Sequence, residues 1–294
     1  MAEITASMVK DLRERTGLGI MECKKALQEA EGNPQKAEDI LRIKSGAKAN
    51  KAASRVAAEG VVGSYLARDA RVGAMVEVNC ETDFVSKNPE FLAFARGLAE
   101  KIAQENPVDV EALAMLSIGA RTVEAARQAL VQKIGENMTI RRFFRMQTDA
   151  KLAQYVHGVK IGVTVEFEGE DQVGRDLAMH IAFARPQYLG RDEVPQALLA
   201  KEREILGARA RESGKPAEIV ARMVEGGINK FMAEITLLGQ PFVKDDKQTV
   251  EKMLAAGKSK IRGYRFIVVG EGIDKKSNDF AAEVMIQAGI AVKA

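Results

Sequence analysis

One pattern in this chain is written twice. Ile161, Gly162, Val163 and Val165 match Val72, Gly73, Ala74 and Val76, while Arg175, Leu177, Ala178, Ile181, Ala182 and Pro186 echo Arg96, Leu98, Ala99, Ile102, Ala103 and Pro107. The shorter run has the apolar content of a buried strand, and the longer one has the stripe of an amphipathic helix. A chain that repeats strands followed by a helix has two similar apolar faces to bury. The repeat therefore points to an internal duplication: two α+β units, each packing helices on a small antiparallel sheet.

The flanking residues fill out both copies. In the first, Val61, Val62, Tyr65 and Leu66, then Val72, Met75, Val76 and Val78, flank the polar tip Arg68-Asp69 as a hairpin. Asn88-Pro89 then opens a helix carrying Phe91, Ala95, Leu98 and Ile102 on one stripe, and residues 138 to 146 supply a closing strand. In the second, residues 155 to 167 form the hairpin and residues 261 to 269 the closing strand. Two helices, 195 to 212 and 217 to 232, are inserted into this copy around the turn Ser213-Gly214-Lys215-Pro216, which is so short that they must run antiparallel. Pattern alone leaves open whether this hairpin projects or folds back. A final helix is expected over 279 to 288, after Gly270-Glu271-Gly272.

Ahead of the duplication, residues 1 to 46 read as three short helices ending near Gly17, Gly32 and Gly46, the third started by Asn33 as cap and Pro34 at its first position. Residues 47 to 55, rich in alanine and lysine without an apolar face, read as a linker or a loosely packed helix. The expected fold class is α+β. The expected division is a three-helix module with linker over residues 1–55, a first core unit over 56–146, a second over 147–272 with its helical hairpin at 195–232, and a C-terminal module over 273–294.

Composition narrows the function classes. Hydrophobic residues at 46% and charged residues at 29% match an ordinary globular chain, and no apolar run approaches the roughly 18 residues that a membrane helix needs. The opening residues include Glu3, Lys10, Asp11 and Glu14, so neither a signal core nor a transit peptide is expected, and the expected place of work is the cytoplasm. The two cysteines, Cys23 and Cys80, are expected to be reduced and partly buried. A net charge of +3 is the residue of 44 basic and 41 acidic side chains, interspersed along the chain. Nucleic acid is therefore not the expected partner, since phosphate tracking needs a concentrated basic stripe, and 5% aromatic residues with no tryptophan give little to stack bases on.

Catalytic chemistry is equally hard to find. Neither histidine, His157 or His180, has metal-ligand spacing to other side chains. His180 falls on a helix stripe beside Ile181, where a satisfied core or surface histidine is expected, while His157 stands at a hairpin tip next to Gly158. Ser213-Gly214-Lys215-Pro216 has proline where a phosphate loop needs its magnesium-binding hydroxyl, and Gly17-Leu18-Gly19 and Gly270-Glu271-Gly272 lack the third glycine of a dinucleotide loop. No cofactor, metal or active site is expected.

One segment stands out instead. Asn79-Cys80-Glu81-Thr82-Asp83-Phe84-Val85 follows a strand where the chain turns toward the Asn88-Pro89 helix, and so delivers an aromatic ring and a carboxylate side by side on a loop. In its setting EVNCETDFV, the quartet Thr82-Asp83-Phe84-Val85 strongly resembles the signature of the elongation factor Ts family. EITASMVKDLRERTGLGIMECKKAL resembles that family's N-terminal three-helix domain, of the type also seen in ubiquitin-associated modules. KIGENMTIRR, QYVHGVKIGV, MVEGGINKF, GQPFV and DFAAEV match in the family's order, so the resemblance spans the chain.

The resemblance implies guanine-nucleotide exchange on the GTPase elongation factor Tu, with Asp83 and Phe84 entering near its magnesium and switch region. It further implies contacts from Thr82 and Val85, from Arg13, Ile20, Met21 and Lys24 in the first helices, from Ile134 and Gly135, from His157 and from Val243, and it makes the hairpin at 195–232 a homodimerisation element. Exchange needs no acid, base or nucleophile. It needs a surface that binds the nucleotide-free GTPase better than the loaded one. The alternative from another class is a binding adaptor, in which the N-terminal bundle recruits a polypeptide and the core is only a scaffold.

Overall fold

The computed structural model describes residues 4–212 and 214–274. The helix expected at 279 to 288, the DFAAEV match and Ser213 lie outside the described residues. Among the described residues no helix is long and apolar enough to cross a membrane.

Three helices open the chain: α1 (Ala6–Thr16), α2 (Ile20–Glu29) and α3 (Pro34–Ala52). The Asn33 side chain accepts the Lys36 amide at 3.1 Å to start α3, as its sequence position predicts. Leu12, Cys23, Leu27 and Leu41 form the core of this bundle. The third helix does not stop at Gly46, however. It runs on to Ala52, so the stretch expected to be a linker or a loose helix is a packed one. Ser45, Ala49 and Ala52 are buried along one stripe. Their small size gives the stripe little hydropathy in the sequence, and the same smallness lets a neighbouring helix approach closely.

The first α+β unit follows as β1 (Glu59–Leu66), β2 (Val72–Cys80), α4 (Pro89–Glu105), α5 (Val110–Met115), β3 (Ser117–Ile118), β4 (Arg121–Thr122), α6 (Val123–Ile134) and β5 (Met138–Gln147). The second follows as β6 (Lys151–His157), β7 (Ile161–Glu168), α7 (Asp171–Ala184), α8 (Gln196–Glu212), α9 (Ala217–Ile235), β8 (Pro241–Phe242), β9 (Asp245–Thr249), α10 (Val250–Ala256) and β10 (Lys260–Val268). The two three-stranded sheets have one topology, a hairpin with the closing strand added beside its second strand: β1-β2-β5 and β6-β7-β10, antiparallel throughout. The α+β fold class is thus as expected. Helix α4 covers the first sheet with Phe91, Leu98 and Ile102, and α7 covers the second with Leu177 and Ile181, all fully buried.

The repeated glycines have a specific job. A Cβ on Gly162 of β7 would lie 2.5 Å from Val62 and 2.8 Å from the sulfur of Met75, and one on Gly73 of β2 would lie 2.9 Å from Gln154. These are equivalent positions of the two copies, and they sit where the two sheets press on each other around Val62, Met75, Phe144 and Ile267. The sequence also hides a second repeat. Thr122-Val123-Glu124 and Thr249-Val250-Glu251 each begin a helix, each threonine caps it, and each valine is fully buried. Both follow a two-stranded ribbon, β3-β4 or β8-β9, too short to show a period.

A buried carboxylate ties the halves together. Glu77 of β2 accepts from Arg142 Nε at 2.6 Å, Arg141 Nη1 at 3.1 Å, Asn79 Nδ2 at 3.1 Å and the Gly270 amide at 2.8 Å. Helices α8 and α9 pair with each other, Leu206 seating against Gly227, while Ile205, Ile219 and Met223 keep substantial exposure.

Candidate partner-binding site

Strand β2 ends at Cys80, whose buried thiol donates to the Thr82 carbonyl at 3.1 Å and is pushed up to about 12 by burial. It is a structural thiol, and Cys23 is buried likewise. After four intervening residues a single 3-10 turn, Val85–Lys87, leads to Asn88, which caps α4 by accepting the amides of Glu90 and Phe91. The loop 81 to 84 therefore hangs between two rigid mounts.

A second loop holds it in place. The carboxylate of Glu136 accepts the amides of Glu81 and Thr82 at 3.2 and 3.0 Å and the Thr82 hydroxyl at 2.6 Å. In return the Glu81 carboxylate accepts the Asn137 amide and pairs with Arg55 at 3.1 Å. Each loop thus satisfies backbone amides of the other, which leaves the clasp with few free torsions. Val85 and Ser86 face inward, and the Ser86 hydroxyl donates to the Asp83 carbonyl at 2.6 Å.

What the clasp presents is Phe84, 80% exposed. Beside it Asp83 accepts from Lys87 Nζ at 2.9 Å, and the same ammonium lies 6.0 Å from the Phe84 ring centroid. The hydrogen bond and charge of Lys87 hold the Asp83 carboxyl below its ordinary range, so it is ionised at neutral pH. Ring, carboxylate and ammonium form one tip.

The surface continues from that tip. Glu136 follows directly on Ile134 and on Gly135, which ends α6 in a left-handed turn. Lys133, one residue earlier, pairs with Glu90 at 2.6 Å and lines a groove with Arg13, Ile20 and Lys24. Ile20 and Met21, 55% and 62% exposed, stand on the outer face of α2. Nearby, His157 is exposed at the end of β6 with Nδ1 at 3.1 Å from the Tyr155 hydroxyl. Lys160, in the same turn, pairs with Glu59 opposite Cys80 and adds to the field that lowers Asp83. Val243 belongs to a different region. It is 39% exposed in the turn between β8 and β9, and its amide donates to His180 Nδ1 at 3.2 Å.

His180 itself is buried, as the helix stripe predicts. Its Nε2 faces Gln240 Oε1 at 3.0 Å, and burial lowers its pKa, so the ring is neutral. Glu136 and Lys87 were not singled out by the sequence: Glu136 sits within KIGENMTIRR but its partners lie on a loop that only the fold brings to it, and nothing local marks its role. Among the described residues no group of three or more His, Cys, Asp or Glu side chains is placed to hold a metal ion.

Comparison with known proteins adds an independent line. The family described as Elongation factor TS matches residues 81–271. The chain is 59% identical over 288 residues to the Elongation factor Ts of Chromobacterium violaceum, covering 98% of this chain and 99% of the relative. It is 58% identical over 291 residues to that of Ralstonia nicotianae, with 99% of both covered, and 57% identical over 293 residues to that of Cupriavidus necator, with 100% of both covered.

Proposed function

Since this chain belongs to the elongation factor Ts family, and is on that ground a translation elongation factor, we propose that it speeds GDP release from elongation factor Tu by binding and stabilising the nucleotide-free GTPase. The observation that carries the reading is Phe84, almost fully exposed on a loop clasped by Glu136 between a buried strand end and a capped helix. An aromatic ring held so rigidly loses little freedom when it docks, so its contact energy is available to shift the partner's packed elements. Asp83 brings negative charge to the partner's magnesium site and disturbs the ion's oxygen shell.

The other residues divide the remaining work. Arg13, Ile20, Met21 and Lys24, with Ile134 and Gly135, supply docking affinity on the face that leads to the wedge. His157 adds a contact on the surface beside it and Val243 one in a different region, and Thr82 and Val85 anchor the loop from within. By linkage, GDP weakens factor Ts binding by the same factor that factor Ts weakens GDP binding. The chain thus works in the cytoplasm as an exchange factor without an active site of its own. The hairpin of α8 and α9 holds a homodimer, because its Ile205, Ile219 and Met223 keep apolar area that the pair does not bury on itself.

The experiment is release of fluorescent GDP from elongation factor Tu with and without the chain. A large acceleration at substoichiometric chain supports exchange. Binding without acceleration supports the adaptor alternative, in which the N-terminal helices only recruit a polypeptide.

A further inference from the structure

A second groove, sharing no lining residue with the one that holds Arg13 and Lys24, runs between α3 and α6 and has a volume of about 680 Å³. Its walls are two helical stripes of matching spacing: Glu38, Leu41, Arg42 and Ser45 on α3, and Ala125, Gln128, Ala129 and Gln132 on α6. Both follow the i, i+3, i+4, i+7 rule, so the groove is straight and about two turns long on each side. Alanines on the α6 wall leave room for a third helix to approach closely.

The charge at its rim is one-sided. Arg15, Arg42 and Arg121 line it together with a single carboxylate, Glu38, which Arg15 already engages at 2.6 Å. Arg42 and Arg121 form no ion pair among the described residues. Ile43, 74% exposed, stands at the same rim, and the buried Ser45 hydroxyl has no hydrogen-bond partner among the described residues. We infer that this groove receives an amphipathic helix with acidic edges, presented by a protein other than the GTPase. Leu18 and Leu41, the close-approach alanines and the flanking guanidiniums fit the helix-in-groove mode, with carboxylates taken in the forked geometry that arginine prefers. A nucleic acid fits less well, because no aromatic ring lines the groove to stack a base.

The test uses the full chain and a fluorescein-labelled helical peptide with leucines at i, i+3, i+4 and i+7 flanked by glutamates, read by anisotropy, beside a peptide with lysines in place of the glutamates. The acidic peptide is expected to bind saturably and the basic one not. Arg42→Glu combined with Arg121→Glu, both exposed positions, should weaken binding at least tenfold, and Ala129→Trp should block the groove, while GDP release stays at the wild-type rate. Failure of the acidic peptide to bind, equal binding of both peptides, unchanged binding by the double variant, or displacement of the peptide by single-stranded RNA would each overturn the inference. None of these results bears on the exchange reading, which the GDP-release control tests separately.

Discussion

At the scale of single residues the most consequential group outside the tip is Glu77. Burial alone would raise its pKa, but the Gly270 amide, Arg142, Asn79 and Arg141 outweigh that and leave it lowered. A carboxylate depressed in the folded state contributes stability that is complete above its unfolded pKa, near 4.3, and is lost as pH falls through the folded value. The chain should therefore begin to lose stability as pH falls below about 6.5, where an unfolded His180 takes up a proton that the buried ring does not, and Glu77 should steepen the loss below about pH 5. Glu77→Gln should cost about 1–3 kcal/mol at neutral pH, because it strips charge from bonds made in a buried setting. Its loss on acidification should also be shallower than wild type, as urea titrations across pH would show. Nothing in the sequence marked this residue, since Glu77 reads as one polar position in an apolar strand and its distant partners come from β5 and from the turn after β10. Phe84 and Asp83 were legible for the opposite reason: their company is local, and the run Thr82-Asp83-Phe84-Val85 carries the likeness to the elongation factor Ts signature within four consecutive residues.

Among the elements, the duplicated hairpin and helix were plain because long periodic segments carry their own signal, whereas β3-β4 with α6 and β8-β9 with α10 were invisible. The two-residue strands β3, β4 and β8 have no period, the five residues of β9 carry no apolar side chain, and the Thr-Val-Glu starts that follow the ribbons are informative only once seen twice. The extension of α3 was lost to alanine's small hydropathy. The clasp of Glu136 on the loop 81 to 84 leads to an expectation of its own. Glu136→Ala should lower the saturated rate of GDP release about tenfold, the equivalent of one charged hydrogen bond of about 1.5 kcal/mol. It should leave the half-saturating concentration nearly unchanged, and Glu136→Gln should recover much of the rate, because its amide oxygen still accepts. Stopped-flow titration separates the two parameters. The α8-α9 hairpin makes a simpler expectation: sedimentation equilibrium should find a dimer that becomes a monomer when residues 195 to 232 are replaced by a short linker, and a monomer in both cases would remove the dimer from the account.

For the whole molecule, the physical picture is a rigid frame that mounts a wedge at one place and a docking face at another. Two sheets meet at Gly73 and Gly162, Glu77 bolts them together, and α3 runs from the N-terminal bundle onto α6, beside the loop that holds the wedge. Because docking and wedge are separate, they should be separable by mutation. Met21→Asp, on the exposed face of α2, should raise the half-saturating concentration about tenfold, the effect of losing about 1.4 kcal/mol of binding, while the saturated rate holds. The duplication made this frame readable from the sequence, but the continuity of the surface from Met21 through Lys133 and Gly135 to Phe84 could not be read there, since it depends on how the bundle sits against α6. The most direct measurement is GDP release from elongation factor Tu at saturating Phe84→Ala chain, read beside its thermal melt. The expected result is the melt of wild type and a rate lower by about 5–150-fold, the span of a coupling free energy of about 1–3 kcal/mol. A Phe84→Ala chain that exchanges at the wild-type rate would contradict it.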